Sequence, residues 1–213
     1  MSTPAHSPVR IIIFAKAPLA GFAKTRLIPA LGASGAAALA REMLLHTVHA
    51  ALESRVGSVE LCATPAVTEV AAWSALGLPA DIIISEQGDG ELGERLARAA
   101  QRSIERGECA ILIGTDCVEM SPQLLHDARD VLFNHDALLH CTADGGYAML
   151  GLNRFSPTLF NDIPWSTNAV ATTTLARLAQ LGWSVHVGQM LHDVDEPQDL
   201  KYLNLEWSDR IVA

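Results

Sequence analysis

The sequence predicts an α/β domain in three layers, a mainly parallel mixed sheet covered by helices on both faces. Three observations predict it. Val9–Ala15 (VRIIIFA) is a short, β-branched, near-continuous apolar run, the pattern of a buried parallel strand. Strand-like and helix-like stretches then alternate, β-α-β-α-β-α-β, through the first part of the chain. With 213 residues, 49% hydrophobic and 18% charged, the chain suits one substantial buried core. The expected unit is a single domain over residues 1–213.

After the first strand, residues 16–32 carry Pro18, Gly21, Pro29 and Gly32 and are expected to form a loop with one helical turn. A helix is expected over 34–54, strands over 59–63, 81–85 and 110–114, and helices over 66–76 and 91–106. The helix at 91–106 places Leu92, Leu96, Ala99, Ala100 and Ile104 on one face, with Arg95, Arg98, Arg102 and Arg106 largely on the other. Ser121 and Pro122 make an N-cap and first-turn pair for a helix reaching about residue 133. Residues 137–142 and 147–152 flank Asp144-Gly145, which predicts an antiparallel element interrupting the sheet. A helix over 168–181, a short strand over 184–187 and a last helix over 197–207 complete the chain.

Composition excludes several classes. The net charge of −9 argues against nucleic acid as a partner, which would require a basic stripe. No apolar stretch reaches the ~20 residues of a membrane span, and Met1 to Ser7 lacks the pattern of a secretory signal. Cys62, Cys109, Cys117 and Cys141 show no C-x-x-C spacing, so reduced thiols in a soluble cytoplasmic protein are expected. The charge is unevenly spread. Residues 1–41 contain no Asp or Glu but carry Arg10, Lys16, Lys24, Arg26 and Arg41, and two of the three lysines lie between residues 16 and 24. A local anion site inside an acidic protein is the reading.

Five loops offer chemistry. Lys16 to Leu27 (KAPLAGFAKTRL) follows the first strand, where α/β sheets place ligands. Gly21 permits close backbone approach, and Lys16, Lys24 and Arg26 supply the fixed charge a pyrophosphate needs. Ala23 before Lys24 rules out a Walker A loop. Gly88-Asp-Gly90-Glu-Leu-Gly93 matches the dinucleotide fingerprint, but Asp89 and Glu91 would meet a pyrophosphate with like charge. Acids at a helix N-terminus explain it without a ligand. Ile111 to Cys117 ends a buried strand in Asp116, placed either to hold Mg²⁺ or Mn²⁺ or to cap a turn. Ala143 to Tyr147 (ADGGY) reads first as a hairpin turn, with Gly146 hinting at close approach to a ligand and Trp165 a candidate wall. In His192 to Leu200 (HDVDEPQDL), Asp193 and Asp195 share one side of an extended segment. There Asp195 could bring a second carboxylate to the metal, or Asp195 or Glu196 could cap a helix.

These stretches in this order resemble a bacterial family of small GT-A-type transferases, described as glycosyltransferases of arsenosugar biosynthesis or radical-SAM/selenodomain-associated transferases. The matching segments are 14–27, 87–96, 113–117, 143–152, 163–167 and 193–200. A more distant similarity is to 2-phospho-L-lactate and molybdenum-cofactor guanylyltransferases, which share the nucleotide-diphospho-sugar transferase fold. The resemblance implies that Lys16, Gly21, Lys24, Thr25 and Arg26 bind nucleotide phosphates, with Gly93 and Arg95 at the edge or support of the nucleotide pocket. It implies Mg²⁺ or Mn²⁺ at Asp116 and Asp195, with Asp144 orienting or deprotonating the acceptor beside Gly145, Gly146 and Trp165. This chain departs from the family pattern at Val118-Glu119-Met120, where Pro usually follows IGTDC, and at His140-Cys141, where Gly-Pro is usual.

The expected activity is sugar transfer from a nucleotide sugar to a small-molecule acceptor. The alternative is nucleotidyl transfer from a nucleoside triphosphate to a phosphorylated acceptor, with release of pyrophosphate. A non-catalytic nucleotide-binding regulator and an NAD-dependent oxidoreductase are the competing classes.

Overall fold

In the computed structural model, which describes residues 7–203 and Trp207, Ile11, Ile12 and Ile13 are solvent-free within strand β1 (Val9–Lys16). Successive strand side chains face opposite ways. Ile11 and Ile13 therefore enter one core cluster and Ile12 the other. Each such side chain stabilises the fold by roughly 1.5–3 kcal/mol relative to exposure, provided helices cover both faces. Helices α1 (Ile28–Ser54) and α3 (Pro122–Leu132) contribute Leu44, Val48, Leu125 and Ala128 to the first cluster. Helices α2 (Leu92–Ile104) and α4 (Val170–Gln180) contribute Leu96, Ala99, Ala100 and Leu178 to the second. The three layers follow.

The remaining strands are β2 (Ser58–Thr64), β3 (Ile83–Glu86), β4 (Cys109–Ile113), β5 (Ala137–Cys141), β6 (Tyr147–Leu152) and β7 (Val185–Val187). They form one sheet in the order β3-β2-β1-β4-β6-β5-β7. The sheet is parallel except at β6, which runs antiparallel to β4 and β5. The chain winds outward in one direction from β1 to β3 and in the other from β4, so the crevice between β1 and β4 is a topological switch point. Register fixes what meets there. Ile13 pairs with Ile113, Ile113 with Met149, and Cys141 with Tyr147. The loops after Lys16 and Ile113 and the turn at 142–146 therefore open on one edge of the sheet.

Some elements differ from the sequence reading. Helix α1 starts at Ile28 with Pro29 in its first turn, and the expected loop residue Gly32 becomes a kink at φ 70°, ψ 166°. The helix expected at 66–76 is only a 3-10 helix, Ala71–Leu76. Val67, Thr68 and Val70 are weak helix formers, and the segment is held instead by buried Trp73, whose indole N–H donates to the Pro65 carbonyl (3.0 Å). The expected strand at 81–85 is an edge strand, leaving Ile83 and Ile84 exposed. The last expected helix is a 3-10 helix, Pro197–Tyr202; its continuation to 207 lies outside the described residues except Trp207, which packs with Leu39 and Val194. Among the described residues, no helix is long and apolar enough to cross a membrane.

Candidate active site

The loop after β1 is anchored by two small plugs. Ala23 and Leu27 are buried on either side of Lys24, while Lys16, Gly21, Thr25 and Arg26 are exposed. Lys24 adopts a left-handed backbone (φ 46°, ψ 45°), which a residue other than glycine enters at a cost of roughly 1–2 kcal/mol. Its side chain offsets that cost. The Lys24 ammonium donates to Asp116 Oδ1 (2.5 Å), to the Val194 carbonyl (2.6 Å) and to Asp195 Oδ1 (3.4 Å). Only 4% of that side chain is exposed, against 43% for Asp116 and 42% for Asp195. Burial alone would lower the Lys24 pKa; the two carboxylates overcome it and hold the amine above its ordinary value, so it is charged.

The second carboxylate is delivered by a β-like pairing. Cys117 bridges Asp193 in antiparallel fashion, and the Val194 N–H donates to the Asp116 carbonyl (2.9 Å). Val194 is fully buried, so Asp193 and Asp195 lie on the opposite side of this extended segment. The capping role falls to their neighbours: Glu196 is the N-cap in a capping box with Asp199, whose Oδ2 accepts from the backbone N–H of Glu196 (2.8 Å) and Asp195 (3.2 Å). Asp195 keeps its carboxylate for the cluster.

Beside it opens a pocket of about 560 Å³, mouth included, whose walls include Arg26, Asp144, His192, Asp193, Asp195, Glu196, Asp199 and Tyr202. The negative charge is under-compensated. Burial, and then Asp116, Asp195 and Asp144, push the Asp193 carboxyl up to about 8 against the opposing pull of Lys24. Burial and Asp116 also raise Asp195, opposed by Lys24. Arg26 reaches the rim, 4.0 Å from Glu196 Oε1. A divalent cation would relieve this excess. Among the described residues no three His, Cys, Asp or Glu side chains form a ready cage. The donor set nonetheless fits Mg²⁺ or Mn²⁺, because Lys24 already marks a cation position between two carboxylates, and Mg²⁺ completes its shell with water and substrate phosphates.

Asp144 shares the pocket, but its Oδ1 is engaged by the Thr142 hydroxyl (2.6 Å) and the Gly146 N–H (3.0 Å) in a side-chain-closed turn. Gly145 (φ +92°) is closely approached by the chain itself: a Cβ there would lie 2.2 Å from the Asn168 carbonyl oxygen. The Gly145 carbonyl also accepts from Ala171 N–H (2.9 Å), tying the turn to α4. Gly93 is buried, and the space it leaves is filled by the Phe160 carbonyl and the Trp165 indole. Trp165 packs edge-on to Tyr147 (6.4 Å) against the second core cluster. Arg95 donates to the Gly90 carbonyl (2.7 Å) and Arg98 to those of Gln87 and Asp89, so both brace the glycine-rich turn.

Two features escaped the sequence reading. Gln87 is buried and donates its amide to the Ala15 (3.2 Å) and Cys62 (3.1 Å) carbonyls, tying the glycine-rich turn to the ends of β1 and β2. Its signal was a lone amide between an apolar run and a glycine-rich turn. Glu119 and His192 meet at the pocket across 73 positions, a pairing no spacing announces.

Comparison with known proteins agrees with this architecture. Residues 47–167 match the profile of a family described as "Uncharacterized protein conserved in bacteria (DUF2064)". No curated protein shows significant sequence similarity to the chain. Among solved structures, a provisionally assigned nucleotide-diphospho-sugar transferase from Desulfovibrio desulfuricans G20 superposes with TM-score 0.86 at 27% identity, over 94% of this chain and 87% of that one. A cytidylyltransferase from Leptospira borgpetersenii shares the fold at TM-score 0.56 and 15% identity, over 97% and 93% of the two chains. So does a CMP:2-keto-3-deoxy-manno-octonic acid synthetase complexed with CTP, at 0.56 and 15%, over 92% and 96%.

Proposed function

The chain belongs to the DUF2064 family, and from that premise we propose that it is a metal-dependent glycosyltransferase, moving a sugar from a nucleotide diphosphate to a small-molecule acceptor. The observation that carries this reading is the convergence of Lys24 on Asp116 and Asp195 at the β1–β4 switch point, beneath an exposed basic loop. Lys16, Gly21, Thr25 and Arg26 would receive the diphosphate through fixed charge and open backbone, while Lys24, expected among them, is instead spent on Asp116 and Asp195 beneath the loop. Asp116 and Asp195 would hold Mg²⁺ or Mn²⁺. When bound, that ion neutralises charge on the departing diphosphate. Asp144, locked by Thr142 and Gly146, orients the acceptor. The Desulfovibrio relative and the resemblance to arsenosugar-biosynthesis glycosyltransferases support a sugar donor. One sheet containing all seven strands supports a single domain over residues 1–213, and four free thiols support a reducing, cytoplasmic setting.

The second reading, nucleotidyl transfer, shares the fold of the cytidylyltransferases. The pocket weighs against a phosphorylated acceptor: Asp144, Asp195, Glu196 and Asp199 face it, with Arg26 the cation among its lining residues. A melting-temperature screen of nucleotides with and without Mn²⁺ identifies the donor base. Product analysis then separates the readings: a nucleotide sugar should release nucleoside diphosphate, whereas pyrophosphate from a nucleoside triphosphate would establish the second. A chain whose melting temperature responds to no nucleotide, with or without Mn²⁺, is not a transferase of either kind.

A further inference from the structure

Glu119 grips the residue that begins the pocket's acidic segment at two points. Its Oε1 accepts from His192 Nδ1 (2.9 Å) and its Oε2 from the His192 backbone N–H (2.7 Å). The ring also lies against Tyr202, centroids 4.2 Å apart and tilted 32°. Both rings form pocket wall, and among the described residues His192 Nε2 has no hydrogen-bond partner. A carboxylate acceptor requires the proton on Nδ1, which leaves Nε2 with its lone pair when the ring is neutral. As a stabilising device the pair would contribute little, because both side chains are about a third exposed (30% and 37%). What the double grip does achieve is a fixed ring plane and a fixed tautomer.

We propose that His192 is the general base of the transfer reaction and Glu119 its positioning residue, an inference that rests on the glycosyltransferase reading. Asp144 is less suited to the task, since one of its oxygens already accepts two hydrogen bonds. His192 Nε2 takes the proton from the acceptor hydroxyl as that oxygen bonds to the sugar's anomeric carbon. The bond from that carbon to the diphosphate breaks, and its electron pair leaves with the nucleoside diphosphate. The imidazolium then returns its proton to solvent. Glu119 and Tyr202 touch the ring and Cys117 touches Glu119; the other titratable groups lining the same pocket are Asp144 from the β5–β6 turn, Arg26 from the basic loop, and Asp193, Asp195, Glu196 and Asp199 from the ring's own segment. Cys117 is pushed up to about 12 by burial and is not a competing base.

The test uses the nucleotide sugar selected by the melting screen, with Mn²⁺ and glycerol as the hydroxyl acceptor. His192→Gln should lower kcat by roughly 100-fold or more, within the usual range for a general base, with donor KM changed less than about twofold. Glu119→Gln should lower kcat by about 10-fold, and Glu119→Asp should recover part of it. Each variant should keep the Mn²⁺-dependent melting shift with nucleotide. Unchanged kcat in His192→Gln, with that shift intact, would overturn the base while leaving the transferase reading standing. A wild type showing neither the shift nor diphosphate release would overturn both. Nitrogen NMR of the wild type needs no variant to fold: neutral His192 should be the Nδ1–H tautomer, and the Nε2–H tautomer would refute the dyad.

Discussion

The Lys24 ammonium and the Asp116 carboxylate, 92 positions apart in sequence, lie 2.5 Å from one another. The lysine is almost wholly buried and the aspartate is not, so the cation belongs to the protein's interior and the anion faces the cleft. Asp195, 3.4 Å from the same nitrogen, completes a cation position with two acidic walls.

Lys24→Met keeps the buried stem and removes the charge. Breaking a fully buried pair costs about 3–5 kcal/mol. Asp116 and Asp195 are each more than 40% exposed, so the expected loss in urea denaturation is about 1–2 kcal/mol. Mn²⁺ alone should raise the melting temperature of this variant more than that of the wild type, because the competing ammonium is gone. Equal Mn²⁺ responses in the two proteins would count against a shared cation position.

Asp116→Asn tests the metal from the other side. With nucleotide at a hundredfold excess over Kd and Mn²⁺ present, the wild type should gain about 2.7 kcal/mol. The asparagine variant should fold and lose most of that gain, and its turnover should fall by about 100-fold or more. Retention of the full nucleotide response would remove Asp116 from the site.

Two glycines separate strain from space. Gly21 (φ +78°) has nothing within 4 Å of a built Cβ, whereas Gly145 (φ +92°) would meet the Asn168 carbonyl oxygen at 2.2 Å. Gly21→Ala should cost about 1 kcal/mol, the left-handed penalty alone. Gly145→Ala should cost about 3 kcal/mol or more, because the β5–β6 turn must pull away from α4. Thermal unfolding of both variants checks the order.

Acid stability has an identifiable contributor far from the site. Asp136 accepts from the backbone N–H and the hydroxyl of Ser184 (both 2.9 Å), and these bonds, helped by Arg154, hold its pKa below the ordinary value. A carboxyl with a depressed folded pKa contributes stability above its unfolded pKa, about 3.9. That contribution is lost as pH falls through the lower folded pKa. Asp136→Asn should therefore be less stable than the wild type at pH 6, and the gap should close below about pH 3.9. A gap that stays constant from pH 6 to pH 2.5 would show that Asp136 acts through shape rather than charge.

Much of the scaffold was legible locally. VRIIIFA announces a strand buried on both faces because three consecutive isoleucines cannot all be hidden by one layer of helices. Ser121-Pro122 announces α3, and the Ser121 hydroxyl does accept from the Leu124 N–H (3.3 Å). The stretch 66–76 was misleading, because Trp73 and Leu76 bury themselves without a full helix. For the site, residue types and positions at strand ends drew attention to Lys24, Asp116 and Asp195. The choice between cap and cluster at 195–199 could not be made, since both uses need an acid just before Pro197. Glu196 takes the cap, joined to Asp199 in a reciprocal capping box.

The sequence by itself determined the layering and where the chemistry must lie, because hydrophobic periodicity and loop position are properties of short segments. The sheet's register decided the rest. Only the pairing of β1 with β4 and of Cys117 with Asp193 brings residues 24, 116 and 195 to one nitrogen, and sets Glu119 against His192. Such contacts depend on how far each strand slides along its neighbour, a quantity that no single segment encodes.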